Sequence, residues 1–298
     1  MLKKICMSTM TLVLLGGVSS SFAHAEGSES KEEKIEEAKS YIEESKKDTI
    51  NLLKDLEKEN ATLESVEKTL DKYYEENPAP KEVIDDQNLS LEDVFPGEVE
   101  KIEEKTLNLN KFMSEKENDV AREDDNGEFI EFKNGENTVD VYVGETGGIF
   151  VLENKTVDEP SNKSLINATS EIGALATKTT SKRKTTGICY NALGAKMFTL
   201  WSLGSFKYTG KTVSVATKDG GWQRHFWGST LNVSKPILGA TRSESVGSEK
   251  YAEVYSRIYF ESVFGLKWAG VTMKSGTVET YVGGSKTGGM YGSARKVK

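Results

Sequence analysis

Residues 251–262 alternate without interruption between two kinds of side chain. Ala252, Val254, Ser256, Ile258 and Phe260 fall on one side of an extended chain, and Tyr251, Glu253, Tyr255, Arg257, Tyr259 and Glu261 on the other. A repeat of two residues is the signature of a β-strand, and one apolar face against one tyrosine-and-charge face suits an antiparallel sheet with one side on a core. Further strand patterns fall at 195–201, 205–208, 211–217, 221–227, 230–233, 266–273 and 277–282. Turn-like Tyr208-Thr-Gly210, Lys218-Asp-Gly-Gly221 and Lys274-Ser-Gly276 separate them. So many short strands predict an antiparallel, sandwich-like β-domain over 188–298.

The N-terminal part has a different period. Ser30 followed by Glu33 is a capping-box start, after which Ile35, Ala38, Ile42, Leu52, Leu53 and Leu56 recur at helical spacing. A break at 59–61 leads to a second helix, capped by Thr62, with Leu63, Val66 and Leu70 on one face. Asn77-Pro78-Ala79-Pro80 ends it. A third helix is expected over 98–110. From residue 126 the period returns to two: strands at 128–132, 138–143 and 148–152, the first pair joined by Asn134-Gly135, predict a small β-meander. The expected organisation is α+β: a signal peptide (1–25), an acidic helical region (26–125), a β-meander (126–153), a Ser/Thr/Lys-rich linker (154–187) and a basic β-domain (188–298). Within the linker, Ser181-Lys-Arg-Lys-Thr185 is expected to be solvated, with proteolytic processing as the alternative.

Lys3 and Lys4 precede an apolar run through Leu12, Val13, Leu14, Leu15 and Val18, and Ala23-His24-Ala25 offers a small-x-small cleavage site. This is the pattern of a secretory signal peptide cut after Ala25. No later stretch approaches the roughly 18 apolar residues of a membrane-spanning helix. Cys6 departs with the leader, so Cys189 is the lone cysteine of the mature chain and no internal disulfide can form. A lone cysteine and a Lys/Glu/Asn-rich composition point to export from a Gram-positive bacterium, with the product secreted or held non-covalently at the cell surface.

Charge is segregated. Residues 26–160 carry 40 acidic and 17 basic side chains, net −23, while 161–298 carry 7 and 20, net +13. The basic part favours anionic partners, which outside such a cell are envelope-polymer phosphates and lipid head groups. The acidic region of the same chain is an equal candidate, by intramolecular docking or by head-to-tail self-association. No motif specific to nucleic acid occurs.

Chemistry is sparse. Cys189 and His225 are the weak catalytic candidates, since a nucleophile–base pair needs one of each, with Asn191 or Asp219 to orient the imidazole. Cys189 sits in a strand-like Ile188-Cys-Tyr-Asn191, where a small apolar filler is the simpler expectation. No metal site is expected: one histidine and one cysteine cannot build a zinc site, and 123–128 lacks EF-hand spacing. No cofactor motif is present, Gly283-Gly-Ser-Lys286 lacking the setting of a P-loop. The densest cluster is Gly220-Gly-Trp-Gln-Arg-His-Phe-Trp-Gly228. On a regular strand Trp222, Arg224 and Phe226 share one face, and Gln223, His225 and Trp227 the other. Trp222, Arg224, His225 and Trp227 are therefore the candidate surface-binding residues, with the Trp227–His225 side expected to face outward.

Tyr190-Asn-Ala-Leu-Gly-Ala-Lys-Met-Phe-Thr-Leu-Trp-Ser-Leu-Gly-Ser-Phe-Lys-Tyr-Thr-Gly-Lys-Thr-Val213 resembles a strand-and-hairpin pattern of small secreted β-domain proteins of bacilli and related Gram-positive bacteria. The likeness covers 188 to about 290. It implies a secreted β-sandwich and transfers no catalytic residue. The functional expectation is an exported, non-enzymatic binding protein. The alternatives are a toxin-like or antibacterial effector with the acidic region as a pro-segment, and a Cys/His hydrolase.

Overall fold

The computed structural model describes residues 30–56, 61–86, 88–97, 107–108, 127–157, 177–226, 231–246, 249–268 and 271–297. The leader, the acidic stretch 123–126, most of the helix expected over 98–110 and Trp227 lie outside these residues. The described part is mostly β, with antiparallel sheets preceded by a few helices. The helices are α1 (Lys31–Leu56), α2 (Leu63–Glu76) and the single turns α3 (Lys81–Ile84) and α4 (Leu91–Val94). The strands are β1 (Leu107–Asn108), β2 (Glu128–Asn134), β3 (Asn137–Val143), β4 (Ile149–Val157), β5 (Lys178–Thr179), β6 (Lys182–Tyr190), β7 (Lys196–Tyr208), β8 (Val213–Arg224), β9 (Leu231–Val246), β10 (Glu249–Trp268), β11 (Val271–Ser285) and β12 (Met290–Val297). None of the described helices is long and apolar enough to cross a membrane.

The helices start and stop where side chains can satisfy their end groups. The Ser30 backbone N–H donates to Glu33 Oε2 and the Glu33 N–H to Ser30 Oγ, so the expected capping box is present. Thr62 caps α2 reciprocally with Ser65, and Asn77 closes it by donating its N–H to the Tyr73 carbonyl. On α1 the buried residues Ala38, Ile42, Ser45, Thr49 and Leu53 recur every three or four positions. Leu52, expected on that stripe, lies beside it and is 38 % exposed.

Two antiparallel sheets form the rest. Sheet I runs β2-β3-β4-β6-β7, with β5 and β8 also pairing with β7; sheet II runs β1-β12-β11-β10-β9. Alternation in sheet I sends successive residues to different cores. Val139, Val141, Ile149, Val151, Ile188 and Tyr190 pack with Leu53, Val66 and Leu70 of the helices. Tyr142, Phe150, Leu152, Cys189, Phe198 and Leu200 pack with Ile258, Phe260, Val278 and Ala294 of sheet II. The order is therefore helices, sheet I, sheet II. At one end α1, α3 and α4 enclose a smaller cluster with Ala192 and Leu193.

Several boundaries differ from those expected. Both ends of the linker expected over 154–187 are strands: β4 continues to Val157, and β6 begins at Lys182 and pairs with it from Ile149↔Tyr190 to Val157↔Lys182. The Lys-Arg-Lys run is thus sheet, and the meander and the basic β-region share sheet I. Residues 107–108, expected in a helix, pair as a strand with Lys296 and Arg295. The turns expected at 218–221 and 274–276 lie inside β8 and β11. In β8 the glycines serve packing: a Cβ on Gly220 would meet the Gly239 backbone N at 2.5 Å, where β8 crosses β9, and one on Gly221 would meet the Trp201 indole at 2.7 Å.

Candidate functional site

The catalytic pair weighed from sequence is not brought together. Cys189 is fully buried between the sheets, its thiol beside the Phe198 carbonyl at 3.8 Å, and burial pushes its pKa far up. His225 faces the other way. Its Nε2 lies 2.8 Å from Thr199 Oγ1, and Thr199 pairs across the strands with Ile188, which points to the helices. Burial, and then the Lys196 charge, hold the imidazole below its usual pKa. Asn191 Oδ1 accepts from the Leu193 and Ala195 N–H groups and builds a turn, whereas Asp219 accepts from Gly220 N–H at the surface.

The aromatic cluster is divided in a way alternation alone did not give. β8 ends at Arg224, so the period of two does not reach His225. Trp222 and Phe226 pack on the inter-sheet core. Arg224 accompanies them, and its guanidinium donates to the Phe226 and Leu231 carbonyls, both at 2.6 Å, and so pins the chain after β8. Trp227, the other half of the expected outward pair, lies outside the described residues.

Two polar constellations that the sequence reading did not single out dominate the surfaces. The first lies on the outer face of sheet II. Glu279 is fully buried and accepts from three guanidiniums: Arg242 Nη1 and Nη2 at 2.9 and 2.5 Å, Arg257 Nη2 at 2.7 Å and Arg295 Nε at 2.6 Å. Glu253, 3 % exposed, accepts from Arg242 Nε, Arg295 Nη2 and the Tyr291 hydroxyl, all at 2.7 Å. Arg242 also stacks on Tyr255, and Arg295 on Tyr281, each 4.3 Å from the ring centroid. Burial keeps the Glu253 carboxyl above its ordinary pKa even with these donors. The network is closed, because its carboxylate oxygens are already engaged by its own cations and the tyrosine.

The second lies on sheet I, on the face that the helices cover farther along. Stepping by two from Val151 and Ile188 puts Glu153 and Lys155 of β4 and Lys182, Lys184 and Thr186 of β6 on it. Their partners on β7 and β8 add Trp201, Leu203 and Asp219, and Lys207 follows on β7. Lys155 and Lys184 are direct cross-strand partners, an unfavourable like-charge pair. The Lys184 ammonium sits 4.8 Å from the Trp201 centroid. Burial, followed by the neighbouring Lys155, lowers its pKa. Lys155 is bonded to Glu153 at 3.1–3.2 Å, while the buried Thr186 hydroxyl has no partner among the described residues. A flat aromatic, adjacent ammonium groups and an unused hydroxyl can accept an anion that also presents an apolar or sugar-like surface. The signal for this face was present as the alternating lysines of Lys182-Arg-Lys184, masked by the absence of apolar residues between them.

No group of His, Cys, Asp and Glu suited to a metal ion occurs among the described residues. Comparison with known proteins gives no matching family model, no matching curated protein and no matching solved structure.

Proposed function

We propose that this chain is an exported, non-enzymatic binding protein whose sandwich-like β-region engages phosphate-bearing polymers of the cell envelope through the Lys155–Lys184–Trp201 face. The observation that carries the reading is the cross-strand Lys155–Lys184 pair, which costs stability in the free protein and is relieved by a bound anion. The charge balance of +13 over 161–298 supports the same class of partner. The test is calorimetric titration with a purified poly(glycerol phosphate) and, separately, with anionic vesicles. The double substitution Lys155→Glu/Lys184→Glu should weaken polymer binding about tenfold or more, and wild-type binding should fall steeply as salt rises. Equal affinity of wild type and variant would remove this face as the site. Binding to vesicles alone would move the partner from wall polymer to lipid head group.

The toxin-like reading, with the acidic region as a removable pro-segment, has less support. Loss of α1 and α2 with the acidic region would bare Val139, Val141, Ile149 and Ile188 of sheet I. A Cys/His hydrolase has less again, because the two side chains point to opposite sides of sheet I.

A further inference from the structure

Three of the large apolar side chains left exposed fall into two complementary features. Leu52, 38 % exposed, lies in an open cleft of about 590 Å³ between α1 and α2. With Leu56 it provides an apolar floor; Asp48, Asp55 and Glu76 stand around it with Lys72, which pairs with Glu76 at 3.8 Å, and the Tyr73 hydroxyl donates to Asp48 at 3.3 Å. Ile237 and Leu238, 41 % and 42 % exposed, are consecutive residues of β9. Consecutive residues of a regular strand cannot share one side. Here they are displaced by two register shifts: Ser234 pairs with Tyr259, Ile237 with Arg257 and Ala240 with Tyr255, so β9 gains a residue at each step. Lys235, just before them, is the one non-glycine residue with positive φ (51°) among the described residues. Residues 235–238 are all exposed. The result is a knob of two aliphatic side chains on an edge strand, beside an ammonium that rests 5.3 Å from the Tyr259 ring centroid.

We propose that the α1–α2 cleft of one molecule receives the Lys235–Leu238 knob of a second copy, so that the protein self-associates head to tail. Ile237 and Leu238 meet the Leu52–Leu56 floor, and the Lys235 ammonium approaches Asp48 and Asp55 on the α1 wall, away from the Lys72–Glu76 pair. A second copy is the occupant because the chain carries both halves of the complementarity: the cleft belongs to the part with net −23 and the knob to the part with net +13. Long-range attraction therefore aligns two copies in this sense and opposes the like-to-like arrangement. Cleft and knob are different surfaces, so the contact is heterologous and propagates into a ring or a filament. This inference is independent of the polymer-binding face.

The decisive experiment is sedimentation velocity of the purified chain over a range of concentrations at low salt, with two variants. Leu52→Arg spoils the cleft and leaves the knob; Leu238→Asp spoils the knob and leaves the cleft. Both residues are exposed, and unchanged circular dichroism and melting confirm that each variant is folded. Wild type should grow in mass with concentration, and each variant alone should stay monomeric under the same conditions. An equimolar mixture should form dimers and stop there, since it holds one intact cleft and one intact knob per pair. Salt should weaken association in wild type and mixture alike. Monomeric wild type at about 100 µM would overturn the proposal. So would folded variants that associate like wild type, or a mixture that stays monomeric.

Discussion

The outer face of sheet II and the lysine face of sheet I are both charged β-surfaces, and they use charge in opposite ways. In the sheet II network the cations are arginines, and three guanidiniums converge on Glu279 with a tyrosine stack beneath two of them. The planar fork of arginine matches a carboxylate and keeps its charge when desolvated, so the network can be buried and complete. On the lysine face of sheet I two ammonium groups are opposed across a strand pair, with Glu153 held by one and the Thr186 hydroxyl without a partner among the described residues. A closed network consumes its charge in holding strands together. An open one leaves charge for something outside the molecule.

The largest way to break this contrast is Glu279→Ala. It takes from Arg257 the carboxylate it shares, leaves Arg242 and Arg295 to Glu253 and opens a buried void, and the loss of stability should be about 3–5 kcal/mol, read as a fall in the urea midpoint. A loss below about 1 kcal/mol would mean that the network is not what clasps β9–β12. Asp140 offers a middle case. Burial, and then the Glu131 carboxylate across the strand pair, push its pKa up to about 7, and no guanidinium compensates it among the described residues. Its penalty is absent well below pH 3.8, where the carboxyl is neutral in folded and unfolded chains alike, and complete above about pH 7. Asp140→Asn should therefore stabilise the protein by about 1–2 kcal/mol at pH 8 and hardly at all at acid pH, checked by melts across pH. A gain independent of pH would show that the carboxylate charge is not the cause. The smallest effect is expected at Lys184→Gln. Removing one member of the opposed lysine pair should leave stability within about 0.5 kcal/mol of wild type or slightly raise it. A loss of more than about 1 kcal/mol would place Lys184 in a closed network after all.

Much of the fold was legible in local pattern. The capping box at Ser30, the cap at Thr62, the stop at 77–80, the Asn134-Gly135 hairpin and the two faces of 251–262 follow from short-range rules of end-group satisfaction and side-chain alternation. The candidate site was less legible. Lys182 and Lys184 stood in a segment without apolar residues, which reads as a linker until β4 pairs with it. The binding cluster expected at 222–227 rested on a strand that stops at Arg224.

The sequence by itself determined the helices α1 and α2, the apolar and polar faces of 251–262, and how charge divides along the chain. Those properties depend on neighbours within a turn or a strand pair. Only the tertiary structure decided that Gly220 and Gly221 are crossing points and not turns, that Cys189 and His225 point to opposite sides of one sheet, and that Glu279 lies under three arginines drawn from β9, β10 and β12. Each depends on strands distant in sequence meeting in one register. Local pattern carries no record of that choice, which is settled by packing and by the need to pair every buried charge.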